Sequence, residues 1–167
     1  MNDHAAAGLV GVIRQLATAP SLRKTMEIVT EAVRSLLYAD GATFVLRDGD
    51  LCNYADERAI SPLWKGRSFP MSACISGWCM IHGESVAIPD IYEDTRIPHE
   101  AYRPTFVRSL VMVPIGTTAS AVGAIGAYWA EEHAATDDEV SALQTLAQAA
   151  AAALARIRSA ARPLVPA

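Results

Sequence analysis

Apolar positions keep a helical rhythm at both ends of the chain and an alternating rhythm in the middle. From Ala5 to Ala17, Leu9, Val10, Ile13, Leu16 and Ala17 recur with helical spacing, and Pro20 closes the segment. Ser21 is a fitting N-cap for a second helix, in which Leu22, Met26, Val29, Val33 and Leu36 share one face until Asp40-Gly41 stops it. The stretch "ATFVLR", the turn signal "DGD" at Asp48 to Asp50 and "LCNYA" then predict a β-hairpin.

After a loop through Pro62, Trp64 and Gly66, a short extended piece at Arg67 to Met71 leads into "SGWCMIHG". There Ser76 is read as the cap of a brief helix that Gly83 ends, and "SVAI" resumes the sheet. The segment "PDIYEDTRIPHEAYRP" holds three prolines, so it accommodates at most a turn or two of helix. "VRSLVMVPI" and "AVGAIGAYWA" are the strongest strands, joined by "GTTAS" as an antiparallel pair, with Pro114 expected at an edge or a frayed strand end. Thr136 to Glu139, "TDDE", is a capping box that opens a long alanine-rich helix over 136–158.

Helix, helix, about six mostly antiparallel strands with short inserted helices, and a final helix make an α+β arrangement with helices on one face of a central sheet. The opposite face is then covered by the loops and short helices from Trp64 to Phe106, and pockets form beneath such covers. Residues 1–160 are read as a single domain and 161–167 as a frayed tail.

Composition changes this picture little. At 51% apolar, 19% charged and net −4, the chain lacks the basic footprint of a nucleic-acid or anionic-membrane binder. The N-terminus reads poorly as a signal peptide and no apolar run reaches ~20 residues, so a cytoplasmic location without membrane contact is expected. Cys52, Cys74 and Cys79 form no CxxC pair and fit buried structural thiols in a reducing compartment. No nucleophile-base pair, phosphate loop or metal set stands out: Cys79 and His82 share a helix face, but a structural zinc wants four ligands.

The run "SGWCMIHGESVAIPDIYEDTRIP…VRSLVMVPI…AVGAIGAYWAEEHAATDDEVSALQTLAQAAAAAL" resembles a GAF domain, most of all the N-terminal sensory GAF domains of bacterial two-component sensor histidine kinases. The resemblance spans roughly Ser21 to Arg158. It implies a PAS-like fold, a small-molecule pocket on the loop-covered face, terminal helices that dimerise, and a downstream kinase or other output domain. No catalysis is expected within these residues. Pocket candidates are Trp78, His82, Tyr92, His99, Tyr102, Phe106, Ser109 and Val111, and the aromatics Trp78, Tyr92, Tyr102, Phe106, Tyr128 and Trp129 either line a cavity or fill the core. In "VRSLVMVPI" only one alternating set can see the pocket, and Ser109 there would be a useful ligand contact. Ile13, with Val140, Leu143, Ala147, Ala150, Leu154 and Ile157 at heptad spacing, is the candidate dimer surface of a homodimer, while an amphipathic helix packed on its own sheet gives nearly the same pattern.

Other branches of the family are measured against the same positions. Bilin-binding GAF domains carry an attaching cysteine just after a proline in this loop, where this chain reads Pro98-His99-Glu100, so covalent bilin is disfavoured. Cyclic-nucleotide binders need a phosphate partner, for which Arg96, Arg103 and Arg108 are near in sequence. Free methionine-(R)-sulfoxide reductases match Cys79 after Gly77-Trp78, but the partner thiol expected near His99 is missing. A haem sensor would use His82 or His99 as axial ligand, against the simpler reading that both imidazoles bond backbone or water. A ligand-free dimerisation scaffold is the remaining alternative, and the cofactor stays unidentified.

Overall fold

The computed structural model describes residues 2–117 and 119–162, so the expected tail lies, from residue 163 onward, outside the described residues. Helices α1 (Asp3–Ala17) and α2 (Leu22–Leu37) open the chain. Asn2 accepts from the Ala5 amide at 2.8 Å, and Ser21 accepts from the Lys24 amide at 3.1 Å, which satisfies the orphan donors of each first turn. The second helix stops before Asp40-Gly41, because Tyr38 turns the chain with a left-handed φ of 52°.

Strands β1 (Gly41–Asp48) and β2 (Leu51–Ala59) form the predicted hairpin, with Gly49 at φ 60° in its turn. Their register slips between Phe44 and Val45, where Ala55 is left over as a bulge. β3 (Ser68–Pro70) leads through one 3₁₀ turn, Met71–Ala73, to α3 (Ile75–His82). Cys74 occupies the N-cap position of α3 and Ser76 lies inside the first turn, a correction to the expected cap. The Ser76 hydroxyl is turned inward instead, to Tyr54 at 3.2 Å. Gly83 ends α3 at φ 65°, as expected of a C-terminal glycine.

β4 (Val86–Ile88), a 3₁₀ turn at Ile91–Glu93, the single-turn α4 (His99–Tyr102), β5 (Ser109–Ile115), β6 (Gly123–Trp129) and α5 (Asp137–Ala161) complete the order. Thr136 and Glu139 close the predicted capping box around the start of α5. All pairings are antiparallel in one six-stranded sheet of order β3-β2-β1-β6-β5-β4. β4 reaches only as far as Met112 of β5, so Pro114 sits where that flank of β5 is open and its missing N–H is not called on.

The pleat divides the interior in two. Ala42, Phe44, Val111, Val113, Ile115, Ile125, Ala127 and Trp129 face α1, α2 and α5, where Leu16, Val29, Val33, Leu143 and Leu146 are fully buried. Val45, Tyr54, Leu110, Met112, Ala124 and Tyr128 face the other way, toward α3, α4 and the loops. The stripe Leu143, Ala147, Ala150 and Leu154 packs inside the chain's own helix-side core, at 0%, 3%, 0% and 3% exposure. Heptad spacing on those residues therefore reports packing on the sheet, and their assignment to a dimer seam is corrected. Ile13, Val140 and Ile157 are half-buried at its margin.

Candidate functional site

The loop-covered face is built from the sheet upward. On its floor the Tyr128 hydroxyl of β6 and Thr43 Oγ1 of β1 share a hydrogen bond of 2.9 Å. Gly126 makes this bond fit: a Cβ there would lie 2.5 Å from the Tyr128 hydroxyl and 2.7 Å from Thr43 Oγ1. Beside them on β2, the Tyr54 hydroxyl meets Ser76 Oγ, and Ser76 Oγ meets Cys74 Sγ at 3.4 Å. These hydroxyls and the thiol are buried and, among themselves, hydrogen-bonded.

Trp64 closes the layer. It enters from the loop between β2 and β3, is 3% exposed, and has ring centroids 5.5 Å from Tyr54, 4.7 Å from Tyr102 and 5.6 Å from Tyr128. Its indole N–H donates to the Ala101 carbonyl at 3.0 Å. Its backbone is held by one carboxylate: Glu57 accepts from the amides of Leu63 (2.8 Å), Trp64 (2.8 Å) and Lys65 (2.6 Å). Tyr102, on α4, is 3% exposed, and its hydroxyl is the one buried side-chain polar atom without a partner among the described residues. A residual cavity of about 10 Å³ lies between Tyr54, Trp64, Phe69, Cys74, Pro98 and Tyr102. That is room for about one water, not for a metabolite, so the aromatic side chains themselves occupy this face.

Burial dominates the electrostatics. It raises the phenols of Tyr54, Tyr102 and Tyr128 above the ordinary tyrosine value, and it pushes the Cys79 thiol up to about 12. Cys79 donates toward the Met112 carbonyl at 3.6 Å. A thiol held protonated in this way is not the thiolate that attack on a sulfoxide requires. Cys74, at the start of α3, is lowered by hydrogen bonds from Cys52, Ser76 and the Gly77 amide, while the Cys52 thiol is raised by the same contact and by burial.

The sequence candidates separate into three groups. Tyr102 and Phe106 belong to the covered layer, Phe106 packing against Gly41, where a Cβ would come within 2.9 Å of its ring. Trp78, His82, Tyr92 and His99 lie on the outer side of the cover. The Trp78 ring is flanked by His82, stacked at 4.1 Å, and by the Arg96 guanidinium at 4.5 Å. Tyr92 is 53% exposed, and the His82 and His99 rings bond the Trp78 and Ile91 carbonyls, each at 2.9 Å. Ser109 and Val111 are on the wrong face for a pocket beneath the cover: both point into the helix side, where Ser109 Oγ donates to the Glu131 carbonyl at 2.7 Å. Leu110 and Met112 take the covered side instead, because the register of β5 against β6 fixes the alternation.

Sequence reasoning passed over Tyr54, Trp64, Thr43 and Ser76. A signal existed in "SPLWKG", where Leu63 and Trp64 stand together in a turn marked by Pro62 and Gly66, and in the Gly126/Tyr128 pair on one face of β6. The arginines considered as phosphate partners are engaged elsewhere: Arg96 with Asp94, Arg103 with Glu100, and Arg108 with Asp90 and Glu132. Asp90 and Asp94 are accordingly held below the usual carboxylate range by those guanidinium bonds. A hollow of about 610 Å³ is an open trough between α2 and β2 lined by Arg23, Glu27, Asp56, Arg58 and Lys65, both signs of charge together. Among the described residues no group of His, Cys, Asp and Glu is placed to hold a metal ion, and no helix is long and apolar enough to cross a membrane.

A family model described as a GAF domain matches residues 19–155. Among solved structures, the GAF domain of an Acinetobacter phosphoenolpyruvate-protein phosphotransferase is similar at TM-score 0.82 and 16% identity, covering 96% of this chain and 98% of that one. Free methionine-R-sulfoxide reductase from Neisseria meningitidis, in complex with its substrate, is similar at TM-score 0.79 and 18% identity over 96% of this chain and 95% of its own. A domain of a putative two-component sensor histidine kinase protein from Sinorhizobium meliloti 1021 follows the fold at TM-score 0.66 and 18% identity, over 83% of this chain and 94% of that one. A search of curated proteins found no match. At these identities the structural likeness carries the fold, and the partners of each protein remain its own.

Proposed function

The chain belongs to the GAF domain family, and from that premise we propose that it is a sensory or regulatory module of a signal-transduction protein, the input element of a sensor histidine kinase. Its loop-covered face takes an uncharged small molecule, and the changed packing of the cover is relayed through dimeric terminal helices to a kinase domain. The observation that carries this reading is the polar content of the covered face: five hydroxyls, of Thr43, Tyr54, Ser76, Tyr102 and Tyr128, are sunk in an aromatic layer, one of them without a partner. Buried polar groups cost stability, and a face that only had to be filled would do better with apolar side chains of the same shape.

The homodimer in this proposal uses the outer surfaces of α1 and α5, since the inner stripe of α5 is occupied. A groove of about 260 Å³ lined by Ile13, Ala17, Ala149, Ala152 and Arg156 runs between them. Arg156 ties its two walls by donating to the Leu16 and Ala19 carbonyls at 3.1 and 2.7 Å. In either role the module acts in the cytoplasm.

A second reading has its own observation. A cavity of only about 10 Å³ is what a dimerisation scaffold with a filled interior would show. Native mass spectrometry of the purified protein, followed by a thermal-shift screen of uncharged metabolites, separates the two. A retained or added mass that raises the melting temperature is expected for the sensor. A dimer that no compound stabilises would leave the scaffold.

A further inference from the structure

We infer that Trp64 is a built-in stand-in for the ligand, and that the ligand is an uncharged planar heterocycle with an N–H donor on one edge and an acceptor on another. This inference rests on the sensory reading above and specifies its site. The indole lies between the sheet floor, Tyr54 and Tyr128, and the cover, Tyr102, in the layer where the family fold has its loop-covered face.

Three observations distinguish it from an ordinary core tryptophan. It comes from a loop and not from a helix or strand, so it can leave without breaking the sheet. The largest single hold on its loop is the Glu57 carboxylate, which takes all three amides of Leu63 to Lys65, beside the Gly66 amide on the Tyr54 carbonyl, the Arg67 amide on the Trp64 carbonyl and the Lys65–Asp56 ion pair. And the ring leaves work undone: it satisfies the Ala101 carbonyl, yet the Tyr102 hydroxyl next along the chain stays buried and unpartnered. Indole has a donor and no acceptor. A ring with both would bond Ala101 and Tyr102 together, which is the differential affinity needed to drive Trp64 out.

The ligand is uncharged because the layer offers no cationic side chain, and its one lowered thiol, Cys74, is already engaged by Cys52, Ser76 and the Gly77 amide. The buried polar side chains are hydroxyls and thiols, and Arg96, Arg103 and Arg108 are paired on the surface. An ion placed here would be desolvated without compensation.

The test uses 7-azaindole (donor and acceptor), indole (donor only) and 1-methylindole (neither) as probes, titrated calorimetrically into the wild type, Glu57→Ala, Trp64→Ala and Tyr102→Phe. Freeing the latch in Glu57→Ala should tighten 7-azaindole by about tenfold or more over wild type, the fold-change of one hydrogen-bond-sized free energy. In the Trp64→Ala variant the affinity order should be 7-azaindole, indole, 1-methylindole, and adding Tyr102→Phe should erase the step between the first two. Trp64→Ala that is folded by circular dichroism and binds the three probes alike, or none, overturns the inference. If Trp64→Ala does not fold, equal 7-azaindole affinity in Glu57→Ala and wild type overturns it. Hydrogen exchange separates this failure from failure of the sensory reading. A metabolite from the screen that stabilises the protein while the Leu63 to Lys65 amides stay protected refutes the Trp64 exchange and leaves the sensor standing; faster exchange at those amides on binding supports both.

Discussion

The two faces of the sheet solve the same packing problem with different chemistry. The helix side is closed by leucine, valine, isoleucine and alanine, and its buried hydroxyls donate to main-chain carbonyls: Thr25 and Thr30 to Ser21 and Met26 one turn back, each at 2.9 Å, and Ser109 to Glu131. The covered side holds tyrosines, a tryptophan and all three thiols, with side-chain hydroxyls bonded to one another between elements, Thr43 to Tyr128 and Tyr54 to Ser76. The first face is what stability alone selects. The second gives up part of that stability to keep polar atoms in place, and such places are where a fold carries function.

The sharpest way to break the comparison is to damage the helix side and ask whether the covered side notices. Leu143→Ala empties a fully buried position between α5 and the sheet and should lower stability by about 2–5 kcal/mol in urea unfolding. Protection of the Leu63 to Lys65 amides below the transition should be unchanged. Loss of that protection at low urea would mean that the two layers are one cooperative core.

Alkaline pH should do the reverse and strike the covered side alone, because that is where the buried titrating groups are. Cys79 is the clearest case. Its folded value is raised to about 12 from 9.0, so the folded state keeps a proton that the unfolded state gives up. Its contribution is therefore whole below pH 9 and is lost as pH rises toward 12, at about 1.4 kcal/mol per pH unit inside that window. The raised phenols of Tyr54, Tyr102 and Tyr128 act in the same direction at higher pH. Denaturant midpoints measured from pH 8 to 11 should fall, and Cys79→Ala should flatten the early part of the fall. A Cys79→Ala profile parallel to wild type would remove this thiol from the account.

These differences explain what was legible in the sequence. Patterns that repeat within one element were readable: the Ser21 and Thr136 caps, the hairpin turn at Gly49, the stop at Gly83 and the alternation of β5 each follow from local sterics and hydrogen bonding. The helix side was legible for that reason. Which of two alternating sets faced the cover was not, since Ser109 and Leu110 differ by one residue of register and β6 decides it. Nor could spacing tell a seam between chains from the stripe on which α5 packs, because Leu143 and Leu154 satisfy both periods. The covered site resisted most, being assembled from β1, β2, β6, α3, α4 and a loop, with Trp64 supplied by the element that carries no period at all.

The smallest predicted effect discriminates best, because its sign is unusual. Tyr128→Phe removes a hydroxyl that Thr43 uses and leaves Thr43 Oγ1 buried without its partner, so it should destabilise by about 1–2 kcal/mol. Tyr102→Phe removes a hydroxyl that nothing uses. The folded protein then no longer desolvates an unpaired polar atom, while the ring keeps its contact with Trp64, and stability should rise by about 1 kcal/mol. A tyrosine whose loss of oxygen strengthens the protein is retained for something other than folding. If chemical denaturation shows instead that Tyr102→Phe is weaker than wild type, then water in the small cavity beside it already satisfies the hydroxyl, and the covered side holds no unmet polar demand for a ligand to answer.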